Sequence, residues 1–431
     1  MDTALRCDLA VIGTGLAGMA ASLFATSRGL SVVQAGSTGA ISYTSGVFDV
    51  LGALPATSKN ARPTVVHQPF AAIPELLRAE PGHPYAVLDP EDIRIAFHEV
   101  MDFLRQAGVP YRAGGENNFH VLSPAGTLKH TWCVPETVLP GCEALERKAP
   151  AVIIAIEGIK GFSARQIATN LAHIWPGLRA ANVAMPGHLE GEVYPEQVAR
   201  MLETPQAREA LAKALAPHVA DAEAVGLPAV LGMHRPGDVA ADMARRLGAA
   251  VFEIPTMPPG VPGIRLKEAF EDRLPELGVT LFCQQMMSLA EPGALPGPEA
   301  PFRLRITGQP VEREVLAQRV LLCTGRFLGG GLAGHMDAIE ETVFGLPVTQ
   351  PGSRSHWHRL DYLDGRGHAV HRAGLSVDAA LRPLGQDGAP VHPRLFAAGS
   401  ILAHQDWIRM KCGAGVAIAT ARRAVLALMD A

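Results

Sequence analysis

The stretch Asp8-Leu9-Ala10-Val11-Ile12-Gly13-Thr14-Gly15-Leu16-Ala17-Gly18 decides the fold. A short apolar run of strand type enters Gly-x-Gly-x-x-Gly, and a helical pattern rich in small residues follows from Leu16 to Arg28. Each glycine answers a separate physical need. Gly13 makes the tight turn out of the strand, Gly15 lets main chain approach a phosphate closely, and Gly18 lets the helix pack on the sheet. The N–H groups of the loop Gly13–Gly18, with Thr14, Leu16 and Ala17 between the glycines, then face an anion at the helix N-terminus. Gly29 stands where a helix end favours a left-handed residue, and Leu30–Gln34 reads as a second strand. A β-α-β unit with such short joints predicts a parallel sheet. A plain strand-to-helix turn would use similar glycines, but strand, loop, helix and strand in this order form the context of a dinucleotide site.

One position departs from that pattern. A carboxylate is expected about 20 residues on, at the end of the second strand, to hold a ribose hydroxyl pair. The chain offers Gln34, Ala35 and Gly36 there. Gln34 supplies one hydrogen bond at most in place of the bidentate acceptor, which weakens both ordinary NAD recognition and a standard adenosine grip.

A chain of 431 residues suggests two domains with interleaved segments. The formal net charge is −4, no basic stripe is interleaved with aromatics, and a nucleic-acid partner is excluded on that ground. The six cysteines form no C-x-x-C pair, so neither a zinc ribbon nor an iron–sulfur cluster is expected. No signal-peptide pattern precedes the first strand, which predicts reduced thiols in the cytoplasm. Apolar stretches such as Ala151–Ile156 are far shorter than the roughly 20 residues needed to span a bilayer, so membrane contact is expected to be peripheral or to go through a partner.

Further along, helices are expected at Asp92–Gln106, Ser163–Ala172, Pro195–Ala216, Pro236–Leu247, Arg265–Leu277 and Gly413–Leu428. Strands are expected at Val152–Ile156, Pro228–Leu231, Ala250–Ile254, Val279–Phe282, Arg319–Thr324 and Leu395–Gly399, with a small meander over Arg303–Thr307 and Glu314–Ala317. The reading is an α/β, Rossmann-type FAD/NAD(P)-binding fold, a parallel sheet with meander, interrupted by a second α+β domain. It assigns residues 1–54, 263–345 and 370–431 to the nucleotide domain. Residues 55–262 form the inserted cap or interaction domain, to which 346–369 return.

Three later motifs fit a flavin site. Arg394-Leu395-Phe396-Ala397-Ala398-Gly399-Ser400 has the shape of a second flavin-contact strand, with Ser400 in place of an aspartate that meets the ribityl chain. The strand ending Thr324-Gly325-Arg326 and the helix opening Gly413-Ala414-Gly415 complete the set. The dipole of that helix suits the negative charge that a reduced flavin gathers at its pyrimidine edge.

The segments Tyr43-Thr44-Ser45-Gly46-Val47-Phe48-Asp49, Thr324-Gly325-Arg326-Phe327-Leu328-Gly329-Gly330-Gly331-Leu332 and Glu341-Thr342-Val343-Phe344-Gly345-Leu346-Pro347 carry a broader likeness. So do Ala398-Gly399-Ser400-Ile401-Leu402-Ala403-His404-Gln405-Asp406 and its continuation Trp407-Ile408-Arg409-Met410-Lys411-Cys412-Gly413-Ala414-Gly415. Together they resemble the B-subunit family of anaerobic glycerol-3-phosphate dehydrogenase over nearly the full length. The resemblance implies a flavoprotein subunit of a respiratory complex, peripheral on the cytoplasmic side of the inner cell membrane. It implies partners too: an FAD-containing catalytic subunit that oxidises glycerol 3-phosphate to dihydroxyacetone phosphate, and an iron–sulfur, membrane-associated subunit that passes electrons towards menaquinone, with fumarate or nitrate as terminal acceptors. Ser45 and Gly46 join the expected flavin contacts on this basis.

The missing ribose carboxylate and the family pattern place FMN first as cofactor. FAD is the alternative, because the complete phosphate loop normally holds a pyrophosphate. His404, Arg409 and Lys411 are the catalytic candidates, as proton relay or as cations beside the flavin or a substrate phosphate. Ordinary packing of His404, helix capping by Asp406 and solvated charges at 409 and 411 are the bland alternatives. Arg326 reads as a phosphate ligand or a structural ion-pair partner, and Cys412 as a buried, inert thiol. His356, His358, His368 and His371 lack a fixed spacing, so no metal site is expected. Two other functions stay open: a redox-inactive scaffold that keeps the fold, and a stand-alone flavin reductase of another small molecule.

Overall fold

Strand β1 (Leu5–Ile12) is buried from Leu9 to Ile12 and runs straight into the glycine loop. Helix α1 (Leu16–Thr26) returns along the sheet with Ala17 to Ala25 all buried, which its small side chains permit. Strand β2 (Val32–Gly36) then lies parallel to β1, Ile12 beside Ala35. The computed structural model describes residues 4–37, 40–187, 191–291, 293, 295–308 and 312–430.

The sheet grows in both directions. β3 (Thr280–Cys283) is parallel to β2 on one side. On the other, the meander β4 (Met286–Leu289), β5 (Phe302–Thr307) and β6 (Arg313–Leu322) folds antiparallel, and β6 runs parallel to β1. The order is β3-β2-β1-β6-β5-β4, with β7 (Leu395–Ala397) added parallel to the end of β6. The sequence suggests two strands over 314–324, whereas one continuous β6 forms. Its partner changes along its length: residues 313–317 pair with β5 and Val320–Leu322 with β7. Helix α2 (Gly413–Met429) is alanine-rich and packs against α1.

The chain divides into two units. The first comprises Met1–Ala40, Asp49–Val100 and Phe270–Ala431, and the second Ile41–Phe48 and Met101–Ala269. This differs from the expected insert at 55–262 in four places, one of them the short stretch 263–269, which goes to the second unit. Segment 49–100 sits with the first unit because the Gly52 amide bonds to the Met410 and Lys411 carbonyls, and Glu99 pairs with both Arg28 and Arg422. Segment 346–369 also stays there, with the Gly365 amide on the Lys59 carbonyl. Segment 41–48 goes to the second unit, where Phe48 pairs its backbone with Cys133 and stacks on Tyr111 at 4.6 Å. Such long-range pairings leave no mark in composition.

The second unit is built on a four-stranded parallel sheet in the order Leu178–Val183, Ala151–Ile156, Ala224–Pro228, Ala250–Ile254. The helix expected over Pro195–Ala216 is two helices, Pro195–Met201 and Pro205–Val219, because Thr204 caps the second and Pro205 opens it. The strand expected at Pro228–Leu231 lies earlier and ends at Pro228. Within this unit Arg265 and Glu253 form a fully buried pair at 2.7 Å, completed by Thr137, the Leu231 amide and the Gly232 carbonyl. That network satisfies both charges and is read as structural.

Candidate functional site

Register assembles the site. Ile12 pairs with Leu322, and Leu322 with Ala397, so three parallel strands end at one level. The residues that follow, Gly13–Gly18, Cys323–Gly325 and Ala398–Ser400, therefore share one edge of the sheet. Ligands of open α/β sheets bind at such carboxyl ends.

Within the loop the glycines differ. Gly13 has φ +125°, and a Cβ there would lie 2.2 Å from the Cys323 carbonyl oxygen. Gly18 would strike the Gly13 carbonyl oxygen at 2.0 Å. Both are demanded by the protein's own packing. Gly15 is extended, φ −79° and ψ 179°, and a Cβ on it meets nothing within 4 Å. Neither backbone strain nor packing within the chain requires a glycine at 15, and the start of α1 is left open there.

Gln34 does not offer its amide to a ribose, contrary to expectation. The side chain is fully buried, its Nε2 donates to the Gly13 carbonyl at 2.8 Å, and its Oε1 accepts from the Ser22 hydroxyl at 2.7 Å. It braces the phosphate loop from beneath. The last residue of β2, Gly36, takes the place where a carboxylate is expected, and a Cβ there would lie 2.5 Å from the Thr14 amide nitrogen. Thr14 itself is buried.

On the neighbouring strand ends, the Thr324 hydroxyl is buried without a partner among the described residues. Gly329 and Gly331 fold back on Thr324 and Gly325, so that a Cβ on either would come within 2.2 Å of a carbonyl oxygen. Gly399 has φ +82°, donates its N–H to the Thr420 hydroxyl at 2.8 Å, and touches the first turn of α1 through Ala17. The half-buried Ser400 has its hydroxyl 3.4 Å from the ideal Cβ position of Gly325.

The opening of α2 is only partly as expected. The Gly415 N–H donates to the Asp49 carbonyl at 2.7 Å, and a Cβ at 415 would sit 2.0 Å from the Tyr85 hydroxyl. Gly415 is thus a packing glycine. Ser45 and Gly46 belong to the second unit, where the Gly46 carbonyl accepts from the Tyr111 hydroxyl at 2.6 Å and the Lys129 ammonium reaches Ser45 at 3.4 Å.

Arg326 is the residue whose role the sequence leaves most open. It is held by main-chain carbonyls. Its guanidinium donates to the carbonyls of Ser400 (2.7 Å), Leu402 (3.0 Å), Gln405 (2.8 Å) and His371. Burial lowers its pKa to about 10, against the opposing pull of Asp406. One side chain so pins the loop 399–405 to the end of β6.

The catalytic candidates are engaged likewise. His404, at φ +63°, lays its ring over Gly82 and holds the Ser376 hydroxyl at 3.2 Å. Arg409 pairs with Asp406 at 3.1 Å and contacts His371 Nδ1 at 2.8 Å. Asp406 caps the short helix Trp407–Met410; burial opposes its charge, yet His371 and Arg409 hold its pKa below the usual range. Lys411 closes that helix at φ +52°. Burial raises the Cys412 thiol far above its ordinary pKa, 3.8 Å from His83 Nε2, and pushes His83 down to about 3. Both are neutral at neutral pH. Of the four clustered histidines, His368 accepts from the Arg359 amide on Nδ1 and sets Nε2 against the Tyr362 carbonyl at 3.1 Å, while His371 faces Arg409 and Asp406.

Residues 8–416 match the model of the FAD binding domain family. Over 449 residues the chain is 31% identical to the probable B-subunit of anaerobic glycerol-3-phosphate dehydrogenase from Halobacterium salinarum (strain ATCC 29341 / DSM 671 / R1), covering 99% of each. The chain belongs to the B-subunit family of anaerobic glycerol-3-phosphate dehydrogenase. The family member of Vibrio vulnificus (strain YJ016) is 29% identical over 435 residues, with 98% of this chain and 96% of that one covered. Among solved structures, 3-ketosteroid Δ1-dehydrogenase from Sterolibacterium denitrificans is similar at 12% identity and a TM-score of 0.43, over 99% of both chains.

Membership of the FAD binding domain family implies a flavin, and the site fits one in part. The bare face at Gly15, the start of α1 and the unpartnered Thr324 hydroxyl suit a phosphorylated flavin. The ribose end lacks its carboxylate, and Gly36 shows that none can be placed there without moving Thr14.

Proposed function

We propose that this chain is the flavoprotein subunit of a membrane-associated respiratory glycerol-3-phosphate dehydrogenase. In this reading it supports oxidation of sn-glycerol 3-phosphate to dihydroxyacetone phosphate, with electrons passed to a quinone at the cytoplasmic face of the cell membrane. The observation that carries the reading is the shared edge of Gly13–Gly18, Thr324–Gly325 and Gly399–Ser400 in a chain 31% identical to a member of that B-subunit family. The partners are a catalytic subunit and an iron–sulfur subunit of the same complex.

FAD is the flavin we favour. The sequence places FMN first, but the match over residues 8–416 is to an FAD binding domain, and the loop is complete for a pyrophosphate. When bound, the flavin supplies two-electron and one-electron redox chemistry. The chain's part is to hold and orient. Gly15, Leu16 and Ala17 present main-chain N–H groups to the phosphates, Ser400 and Thr324 offer hydroxyls to the ribityl chain, and Gly413 and Ala414 lend positive potential. Arg409 and Lys411 supply cationic character nearby, while the His404 ring and the Asp406–His371 pair position the loop.

Releasing the chromophore from purified chain by denaturation and chromatographing it tests the claim. FAD is expected; FMN would correct the identity, and a colourless chain that takes up neither would defeat it. A redox-inactive scaffold is the second reading, favoured by Gly36 at the carboxylate position.

A further inference from the structure

The first unit carries an apolar tip that the flavin reading does not use. Leu360 is fully exposed, and Tyr362 and Leu363 are each 82% exposed, on a loop that projects large side chains into solvent. Trp407 and Ile408, also exposed, stand on the next segment. The two segments meet at Gly367, where a Cβ would lie 3.0 Å from both Arg409 Cδ and the Asp406 carboxylate. Lys59 joins the same place, pairing with Asp361 at 3.3 Å while its carbonyl takes the Gly365 amide. Isolated exposed leucines are ordinary; three large exposed apolar side chains at 360, 362 and 363, with an exposed Trp–Ile pair on the segment that meets the same loop, are not.

The segments that carry and meet the tip bear a net charge opposite to that of the chain. Segments 57–63, 352–372 and 407–411 hold eight Lys and Arg against Asp361 and Asp364, in a protein of formal net charge −4. Glu80 and Asp406, which pair with Arg372 and Arg409, bring the carboxylates to four, and the cations remain in excess. Four histidines, at 356, 358, 368 and 371, lie in the same stretch.

From this juxtaposition we infer that the 360–363 tip, with Trp407 and Ile408, inserts into a lipid surface bearing anionic headgroups. Apolar side chains enter the headgroup–acyl boundary, the tryptophan and tyrosine rings suit its amphipathic depth, and the basic surround meets phosphates. A projecting aliphatic tip ringed by cations fits an interface that deforms around it, whereas protein partners present formed, complementary surfaces. The contact is direct and reversible.

The test floats the full chain with vesicles of neutral phosphatidylcholine alone and of phosphatidylcholine mixed equally with phosphatidylglycerol. Wild type is expected to float with the anionic vesicles, less with neutral ones, and to be released by salt. The double variant Leu360→Asp plus Leu363→Asp is expected to lose about tenfold or more of that partitioning, with an unchanged melting temperature because both sites are exposed. Wild type that ignores anionic vesicles overturns the inference, as does a double variant that partitions undiminished. Lack of vesicle binding together with protection of the tip from hydrogen exchange by a purified partner subunit would overturn it in favour of protein docking. None of these readouts depends on flavin content, so the flavin assignment stands or falls separately.

Discussion

Gly36 lies against Thr14 so closely that a Cβ at 36 would sit 2.5 Å from the Thr14 amide nitrogen and 2.6 Å from its hydroxyl. The position that should hold a ribose carboxylate is therefore filled by the phosphate loop itself. Loss of the acid is built into the loop's position rather than a single replaced side chain.

Gly36→Glu should accordingly fail to restore a ribose grip. Overpacking a site of this kind costs about 1–3 kcal/mol, and here the displaced atoms are main chain. A lower melting temperature together with weaker flavin retention is expected. A stable variant with tightened FAD binding would show that the loop yields and that the acid was merely absent.

Arg326→Met should be among the most damaging changes outside the hydrophobic core. It leaves the carbonyls of Ser400, Leu402, Gln405 and His371 without their shared donor. Loss of about 3 kcal/mol or more is expected in urea denaturation, and Arg326→Lys should recover only part, since an ammonium lacks the planar fork. Equal stability of Lys and Arg variants would deny the clamp its geometry.

His83 predicts an acid limb in the stability profile. Burial holds its pKa down at about 3, so the folded protein keeps the ring neutral. Well above the ordinary histidine pKa of 6.5 the ring is neutral in both states. Below that value the unfolded chain takes up a proton that the folded chain refuses, and stability falls as pH drops towards the folded pKa of about 3, by at most ~1.4 kcal/mol per unit. His83→Gln should flatten that limb relative to wild type; parallel profiles for the two proteins would refute the assignment.

The parts of the fold legible in the sequence are those set by local chemistry. Gly13, Gly15 and Gly18 between Ile12 and the alanine-rich α1 announce the first β-α-β unit, and Gly413–Met429 announces the last helix. The site is less legible, because residue type does not say what a side chain will meet. Gln34 reads as a ribose contact but is spent on Gly13 and Ser22, and Gly415 reads as a flavin-facing helix start but packs beneath Tyr85. Arg326 faces carbonyls 45 to 79 residues away in sequence, which no local pattern encodes. The empty carboxylate position at Gly36 is visible in the sequence; its cause, the approach of Thr14, is not.

The contrast between Gly13 and Gly15 supplies the most direct measurement. Unlike Gly13, Gly15 has open space where a side chain would grow, so Gly15→Glu should fold with the stability of wild type yet block a phosphate from the loop. Titrating FAD into flavin-free wild type and Gly15→Glu, with melting temperatures taken alongside, decides the matter. We expect matched melting and binding weakened by about a hundredfold or more, as charge repulsion joins steric exclusion. Equal FAD affinity in the two proteins would contradict the assignment of this loop as the flavin's anchor.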